Sequence, residues 1–527
     1  MKITFCGAAR MVTGSSYLLE VGETKLLVDC GMLQGEDEDK VTPFSIPPEE
    51  LDFVLLTHAH IDHSGRLPLL YKQGFRGKII CTKATNDLCG IMLLDSAHIQ
   101  EMEAMWKNKK SERAGKALVE PMYNIEDAKG ALTLFESHNY NEMVEVNSNI
   151  KARYVDAGHL LGSASIEVWA TEGGQTRKLA FSGDIGNTDQ PIIKDPTYIE
   201  EADFVLVEST YGDRMHETDG NHVEELAKII TDTFSKGGNV IIPSFAVGRT
   251  QELLYLLREI MEKHLVPQHD NFPVFMDSPL AVEATEIFTR DSKDNYDDAA
   301  MQLIENHINP ISFPSLQMIV EAEQSKALNT FPQPCVIISA SGMCDAGRIK
   351  HHLKHNLWRK ECSIVFAGYQ AVGTLGRSIL DGAKKVTIFG EEIEVAASIY
   401  KLGNISGHAD KAGILRWLKA YKTPIKEVFV IHGEEQTALG FANLLIKDLG
   451  MNAYAPKIGE SFDLLSATIT QRTAVPVAAE NELTSTLGQL VQLARKGDAQ
   501  QTAQLKKEIQ ALTQKWQATL SQKADKK

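Results

Sequence analysis

The stretch LLTHAHIDHSG, residues 55–65, sets three imidazoles and a carboxylate within six positions. His58 and His60 stand two apart at the end of an apolar run, and in an extended chain that spacing points both rings to one side. Asp62 and His63 follow at once and can address a second point close by. Imidazole and carboxylate donors together suit a borderline ion such as zinc. Without a metal the same residues would be no more than a histidine-rich helix start. Four side chains from one turn rarely close two metal sites, so further ligands are expected at other strand ends.

Three positions meet that description. His159 follows IKARYVDAG, Asp184 follows RKLAFSG and His432 follows EVFVI, each with a glycine beside it. Two metal positions sharing one carboxylate can be assembled from these seven residues. One takes His58, His60, His159 and Asp184; the other takes Asp62, His63, His432 and the same Asp184.

The elements that must hold these groups are short apolar runs alternating with helical segments, the pattern of an α/β protein. Candidate strands are KITFCG, TKLLVDCG, DFVLLTH, GKIICT, IKARYVDAGH, RKLAFSGD, DFVLVEST, GNVIIPS, FPVFMDSP, PCVIISAS, SIVFAGY and EVFVIHGE. Many end in a small or polar residue near a glycine, which places functional groups where strands run out into loops. Residues 86–136 read as helical, with turn signals near Gly115 and Pro121, and HVEELAKIITDTFSKGG reads as a helix stopped by its glycine pair. Past a linker around Pro476, apolar residues at helical spacing on either side of Gly497 predict a helical hairpin. Its basic second half reads as a solvated helix face or a homodimer contact rather than a nucleic-acid arm.

At 527 residues, the chain should divide into two or more domains. With 43% hydrophobic and 24% charged residues it has a globular composition, with no run long enough to span a bilayer. The N-terminus makes a poor signal peptide, and seven cysteines without a C-x-x-C pair favour reduced thiols, so a cytoplasmic location is expected. The net charge of −16 leaves a polyanionic partner open, because a local basic groove or bound dications can attract phosphate on an acidic protein.

HAHIDHSG, DAGHLLGSA, FSGDIG and the upstream LLVDCG resemble, in order and spacing, the metallo-β-lactamase fold of hydrolases. That resemblance makes Asp29 a residue that orders the metal loop, and His60, a glutamate in the flavodiiron members, favours zinc over iron. About 250 residues separate Asp184 from His432, more than a small enzyme of this fold needs. Within the gap, VLVESTYGDR, PSFAVGRTQELL, SASGMCDAGR, GYQAVGTLGR and ISGHAD look like the β-CASP branch, nucleases that insert a second α/β domain. Its three markers match Glu208, His408 and His432, and histidine at the third is the form found in RNA-acting members.

The fold implied is α/β: an αββα metallo-β-lactamase sandwich (1–210 and 396–461), an inserted α/β β-CASP domain (211–395), and a linker with a helical tail (462–527). The function implied is hydrolysis of single-stranded RNA with two Zn2+ per chain and a hydroxide shared between them, leaving 3′-hydroxyl and 5′-phosphate ends. His408, oriented by Glu208, is the expected acid for the leaving oxygen. Arg249, Ser341, Gly342, Arg348 and Arg377 sit in small-residue loops suited to phosphate, or else the arginines pair with local acids. His351 and His355 in KHHLKH are read as a surface helix, and the acidic run 35–40 as a solvated loop. The rivals are a small-molecule metallohydrolase, such as a thioesterase, and a non-catalytic RNA-binding relative.

Overall fold

The computed structural model of the chain describes residues 1–34, 43–115, 117–216, 221–371, 373–403 and 406–471. The acidic run 35–40 and the helical tail expected past residue 471 lie outside the described residues.

Two sheets face each other. The first has eight strands, in spatial order Thr468–Gln471, Ser461–Asp463, Lys2–Phe5, Tyr17–Val21, Thr24–Val28, Phe53–Leu55, Lys78–Thr82 and Phe135–His138. The second has seven: Ala453–Tyr454, Glu427–Ile431, Phe204–Glu208, Gln175–Phe181, Ala164–Glu172, Ile150–Asp156 and Met143–Asn147. The period-2 alternation of apolar residues explains the layering. Leu19 and Leu26 from the first sheet meet Phe181, Phe204, Leu206 and Phe429 from the second in one inner core. The alternate residues Leu18, Leu27 and Val54 face outward onto helical residues such as Leu67, Leu70 and Leu88. On the other side, Val205, Val207, Val428 and Val430 are covered by Trp417, Leu418 and Phe441 from helices Lys411–Lys419 and Glu435–Leu449. The result is αββα.

Phe429 sits at the centre of the sandwich. Its ring lies 5.1 Å from Phe5 and 5.0 Å from Phe462 across the inner layer, and it is fully buried. Phe429→Ala is expected to cost about 3–5 kcal/mol through lost burial and a cavity, read as a lowered urea midpoint with unchanged slope.

The strands Phe204–Glu208 and Glu427–Ile431 are parallel neighbours, with Glu208 opposite Ile431. The chain between them builds a third sheet of six parallel strands: Leu316–Met318, Val274–Met276, Val336–Ser339, Val240–Pro243, Ser363–Phe366 and Ser398–Lys401. A parallel sheet is buried on both faces, which is why VIIP, VFM, VIIS and SIVF read as continuous apolar runs. Two segment limits differ from the expected ones. Ser398–Lys401 pairs with Ser363–Phe366, so the return to the sandwich begins after Lys401. Ser461–Asp463 pairs with Lys2–Phe5 and carries Thr468–Gln471 beside it, so the chain up to Gln471 extends the first sheet instead of forming a linker.

Candidate active site

The candidate ligands gather where strands run out, with Asp62 and His63 in the short helix Ile61–Ser64 just beyond one of them. Asp29 follows Val28, and His58 follows the parallel neighbour Phe53–Leu55, with Val28 opposite Leu55. Asp184 follows Phe181, which lies opposite Leu206, so Asp184, Glu208 and His432 gather at the carboxyl ends of three adjacent parallel strands. Such ends are where open α/β sheets place their ligands. The backbone turns sharply there. Gly158 and Gly183, each preceding a candidate ligand, have φ of 66° and 57°. Asp29 and His432 adopt the same left-handed conformation, at 61° and 49°, without being glycine. Strain of this kind is sustained only where the surroundings hold it, and it concentrates at functional sites.

The side chains converge on two points. At the first, His58 Nε2 is 3.1 Å from His60 Nδ1, and His60 Nδ1 is 3.2 Å from His159 Nε2. Asp184 Oδ2 stands 3.5 Å from His58 Nε2 and 3.6 Å from His159 Nε2. At the second, His63 Nε2 and His432 Nε2 are 3.2 Å apart, and Asp62 Oδ2 is 3.9 and 3.5 Å from them. Asp184 Oδ1 completes this set at 3.3 Å from His63 and 3.7 Å from His432. Zinc bonds of 2.0–2.1 Å in a tetrahedron place ligand atoms about 3.3 Å apart, so both sets have the spacing an ion requires. Asp184 divides its two oxygens between them. Its Oδ1 is buried with no hydrogen-bond partner, a costly arrangement unless a cation meets it.

The outward nitrogens fix which lone pairs face the cluster. His159 Nδ1 donates to the Gly407 carbonyl at 2.9 Å, and His63 Nδ1 donates to Asp29 Oδ2 at 2.7 Å. In each neutral ring Nε2 is therefore the acceptor, the tautomer a metal needs. His432 Nδ1 is 3.1 Å from Thr210 Oγ1, and His58 Nδ1 is 3.0 Å from Thr57 Oγ1. Asp29 also accepts from the Thr57 backbone at 2.8 Å and from Ser15 Oγ at 3.0 Å. Thr57, Thr210, Ser15 and the Gly407 carbonyl did not emerge from the sequence, although Thr57 directly precedes the HAHIDH run. Partners of this kind typically govern metal affinity by 10–100-fold. Asp29→Ala is thus expected to weaken zinc binding by about that factor, as measured by competition with a chromogenic chelator.

Burial pushes His58 and His159 well below the ordinary imidazole range, with the neighbouring imidazoles His63 and His408 respectively adding to it. Burial lowers His60 as well. Burial opposes the charge on Asp62, but His63 and His432 hold its carboxyl at about 2. Asp184 is kept well below the carboxylate range by His432, His63 and His408, against its burial. His63 is raised well above the imidazole range: burial opposes its charge, and Asp184, Asp29 and Asp62 outweigh it. A site that draws a proton onto one histidine between carboxylates will exchange that proton for a metal cation.

Beside the cluster, His408 Nδ1 lies 3.3 Å from Glu208 Oε1 and 3.9 Å from Asp184 Oδ2. Glu208 is fully buried and accepts from the Ile185 backbone at 2.6 Å. Burial lowers the His408 imidazolium, but Glu208 and Asp184 outweigh it and raise it to about 9. His216 donates from Nε2 to the His408 carbonyl at 3.0 Å, and its own backbone N–H bonds Asp410. It ends the run STYGDRMH that begins just after Glu208, and its spacing from Glu208 was the available signal.

The residues expected at phosphate lie apart from these bonds. Arg249 pairs with Glu252, Arg377 with Asp381 at 2.8 Å, and Arg348 with Asp277 at 2.7 Å and with the Val320 carbonyl. Arg249 and Arg377 thus have partners close in the chain, whereas the carboxylate that meets Arg348 is remote in sequence. Ser341 and Gly342 sit in the loop after Val336–Ser339, beside Phe245. His351 lies against the Phe389 ring at 4.5 Å. Its neighbour His352 is buried, with Nε2 2.6 Å from Asp277.

Three family descriptions match the chain: the metallo-beta-lactamase superfamily over residues 10–97, the Beta-Casp domain over 250–379, and the Zn-dependent metallo-hydrolase RNA specificity domain over 392–456. A ribonuclease of Thermus thermophilus is 38% identical over 446 residues, which cover 84% of this chain and 96% of that protein. An RNase J-like protein of Methanocaldococcus jannaschii is 31% identical, with 87% and 98% covered. The transcription termination factor FttA of the same organism is 29% identical, with 86% and 70% covered.

Proposed function

We propose that this chain, which belongs to the β-CASP family of metal-dependent RNA hydrolases, uses two zinc ions to cut single-stranded RNA into 3′-hydroxyl and 5′-phosphate ends. The observation that carries the two-ion reading is Asp184, whose oxygens reach His58 and His159 on one side and His63 and His432 on the other. His58, His60 and His159 would hold one ion and Asp62, His63 and His432 the other, with Asp184 common to both. When bound, such ions supply Lewis acidity and bring the pKa of water to about 7.

The chain's own groups supply the rest. Hydrolysis breaks the bond from phosphorus to the 3′ oxygen, and that oxygen must leave with a proton. His408 points Nδ1 at Glu208, no described residue bonds its Nε2, and its side chain is 22% exposed. Nε2–H is therefore the donor, and Glu208 holds the ring and stabilises its positive form. Asp29 keeps His63 in the ligating tautomer. Arg249, the Ser341–Gly342 loop, Arg348 and Arg377 remain the proposed phosphate contacts, each arginine having to share its charge with the carboxylate it already meets. The seven cysteines are all unpaired, which supports a cytoplasmic setting. No helix among the described residues is long and apolar enough to cross a membrane.

The test is digestion of one RNA in circular and in linear 5′-monophosphate form by the zinc-loaded protein. Cleavage of the linear RNA is expected; cutting of the circle as well establishes internal cleavage, and a circle left intact establishes action from the 5′ end. Failure to cut either, with a metal count near zero, would turn the reading to a non-catalytic RNA-binding relative.

A further inference from the structure

Three loops meet at the carboxyl ends of the third sheet. Phe245 follows Val240–Pro243, Gly342 follows Val336–Ser339, and Gly368 and Tyr369 follow Ser363–Phe366. The backbone beneath Phe245 is pinned. Ser244 N–H donates to the Ser339 carbonyl at 3.0 Å, and the Phe245 carbonyl accepts from Thr250 Oγ1 at 2.7 Å. Buried Gln370 ties the other two loops, its Nε2 donating to the Gly342 carbonyl at 2.9 Å and the Tyr369 carbonyl at 3.0 Å. A Cβ on Gly342 would stand 3.0 Å from the Phe245 ring, so glycine there makes room for the ring. Despite this fixed backbone, Phe245 and Tyr369 are 41% and 54% exposed.

The loop that begins with Phe245 ends at Gly248, close to a residue beside one of the candidate ligands. A Cβ on Gly248 would lie 3.1 Å from Leu160, the residue after His159. Three residues of chain reach no more than about 11 Å, so the Phe245 backbone lies within that distance of the turn packed on the neighbour of His159.

We propose that Phe245, together with Tyr369, is a stacking platform for unpaired bases flanking the cut, and that it selects single-stranded over duplex RNA. Every base has a π-face, so stacking on an aromatic ring is tolerant of sequence. In a duplex those faces are already taken by neighbouring bases and cannot be splayed onto a protein ring. A chain of net charge −16 also gains from a contact that needs no positive side chain. The proposal rests on the ribonuclease reading.

The experiment compares wild-type, Phe245→Ala, Phe245→Trp and Tyr369→Ala enzymes, zinc-loaded, on a single-stranded RNA and on bis(p-nitrophenyl) phosphate, which has no base. Phe245→Ala is expected to raise KM for RNA about tenfold and to leave the small diester unaffected; Tyr369→Ala should do the same more weakly, and Phe245→Trp should restore RNA binding. An RNA carrying abasic sites beside the cut should lose the difference between wild type and Phe245→Ala. Equal KM for wild type and Phe245→Ala on intact RNA would overturn the platform alone. A wild type that hydrolyses the small diester but no RNA would overturn the ribonuclease reading and the platform with it.

Discussion

Asp184→Ala is expected to abolish RNA cleavage, by more than about a thousandfold, since Lewis acidity supplies several kcal/mol and each 1.36 kcal/mol is a factor of ten. The reason is geometric. Every other candidate ligand serves one point, whereas Asp184 serves both through separate oxygens. Its loss leaves His58, His60 and His159 with no anionic donor, and His63 and His432 with Asp62 only. Zinc per chain, measured by elemental analysis after gel filtration, should fall from two to one or fewer. His159→Ala should remove ligation from the first point while the second keeps its set. Two tightly held ions in the Asp184 variant would show that the carboxylate is not shared.

His408→Ala should lower turnover by about 10²–10⁴-fold while two zincs stay bound, because His408 faces the cluster from outside both donor sets and touches Asp184 only at 3.9 Å. A role in protonation separates from a role in folding through the substrate. RNA with sulfur in place of the 3′-bridging oxygen has a leaving group that needs little help from an acid, so the defect should shrink on it. A deficit of equal size on both substrates would remove His408 as the proton donor. Glu208→Gln should act in the same direction and less strongly, since the amide still accepts from the ring but no longer stabilises its charge.

Four of the ligands were legible because they crowd one turn, and His159, Asp184 and His432 because each ends an apolar run beside a glycine; the twelve apolar runs singled out are all strands. The antiparallel strands between them were harder to see. In Ala164–Glu172 the buried Glu167 breaks the apolar pattern, and it is tolerated only because Arg153 and Lys178 meet it from neighbouring strands. The arginines show the same limit. Glu252 and Asp381 lie within one turn of Arg249 and Arg377 and could be anticipated, but Asp277 is 71 residues from Arg348 and becomes its neighbour only when the third sheet forms. His352 was hidden for that reason too: its partner is the same remote carboxylate.

The strand that delivers His432 is added beside Phe204–Glu208 only after the whole third sheet has been threaded between them. The seventh donor therefore exists only once the roughly 250 residues that follow Asp184 have been made. Until then an emerging chain holds His58, His60, Asp62, His63, His159 and Asp184 without the closing histidine, and His408 itself comes only after the last strand of the third sheet. On the ribonuclease reading, a partly made chain that has not reached His432 cannot close the second metal position and so cannot cut a transcript, its own messenger included.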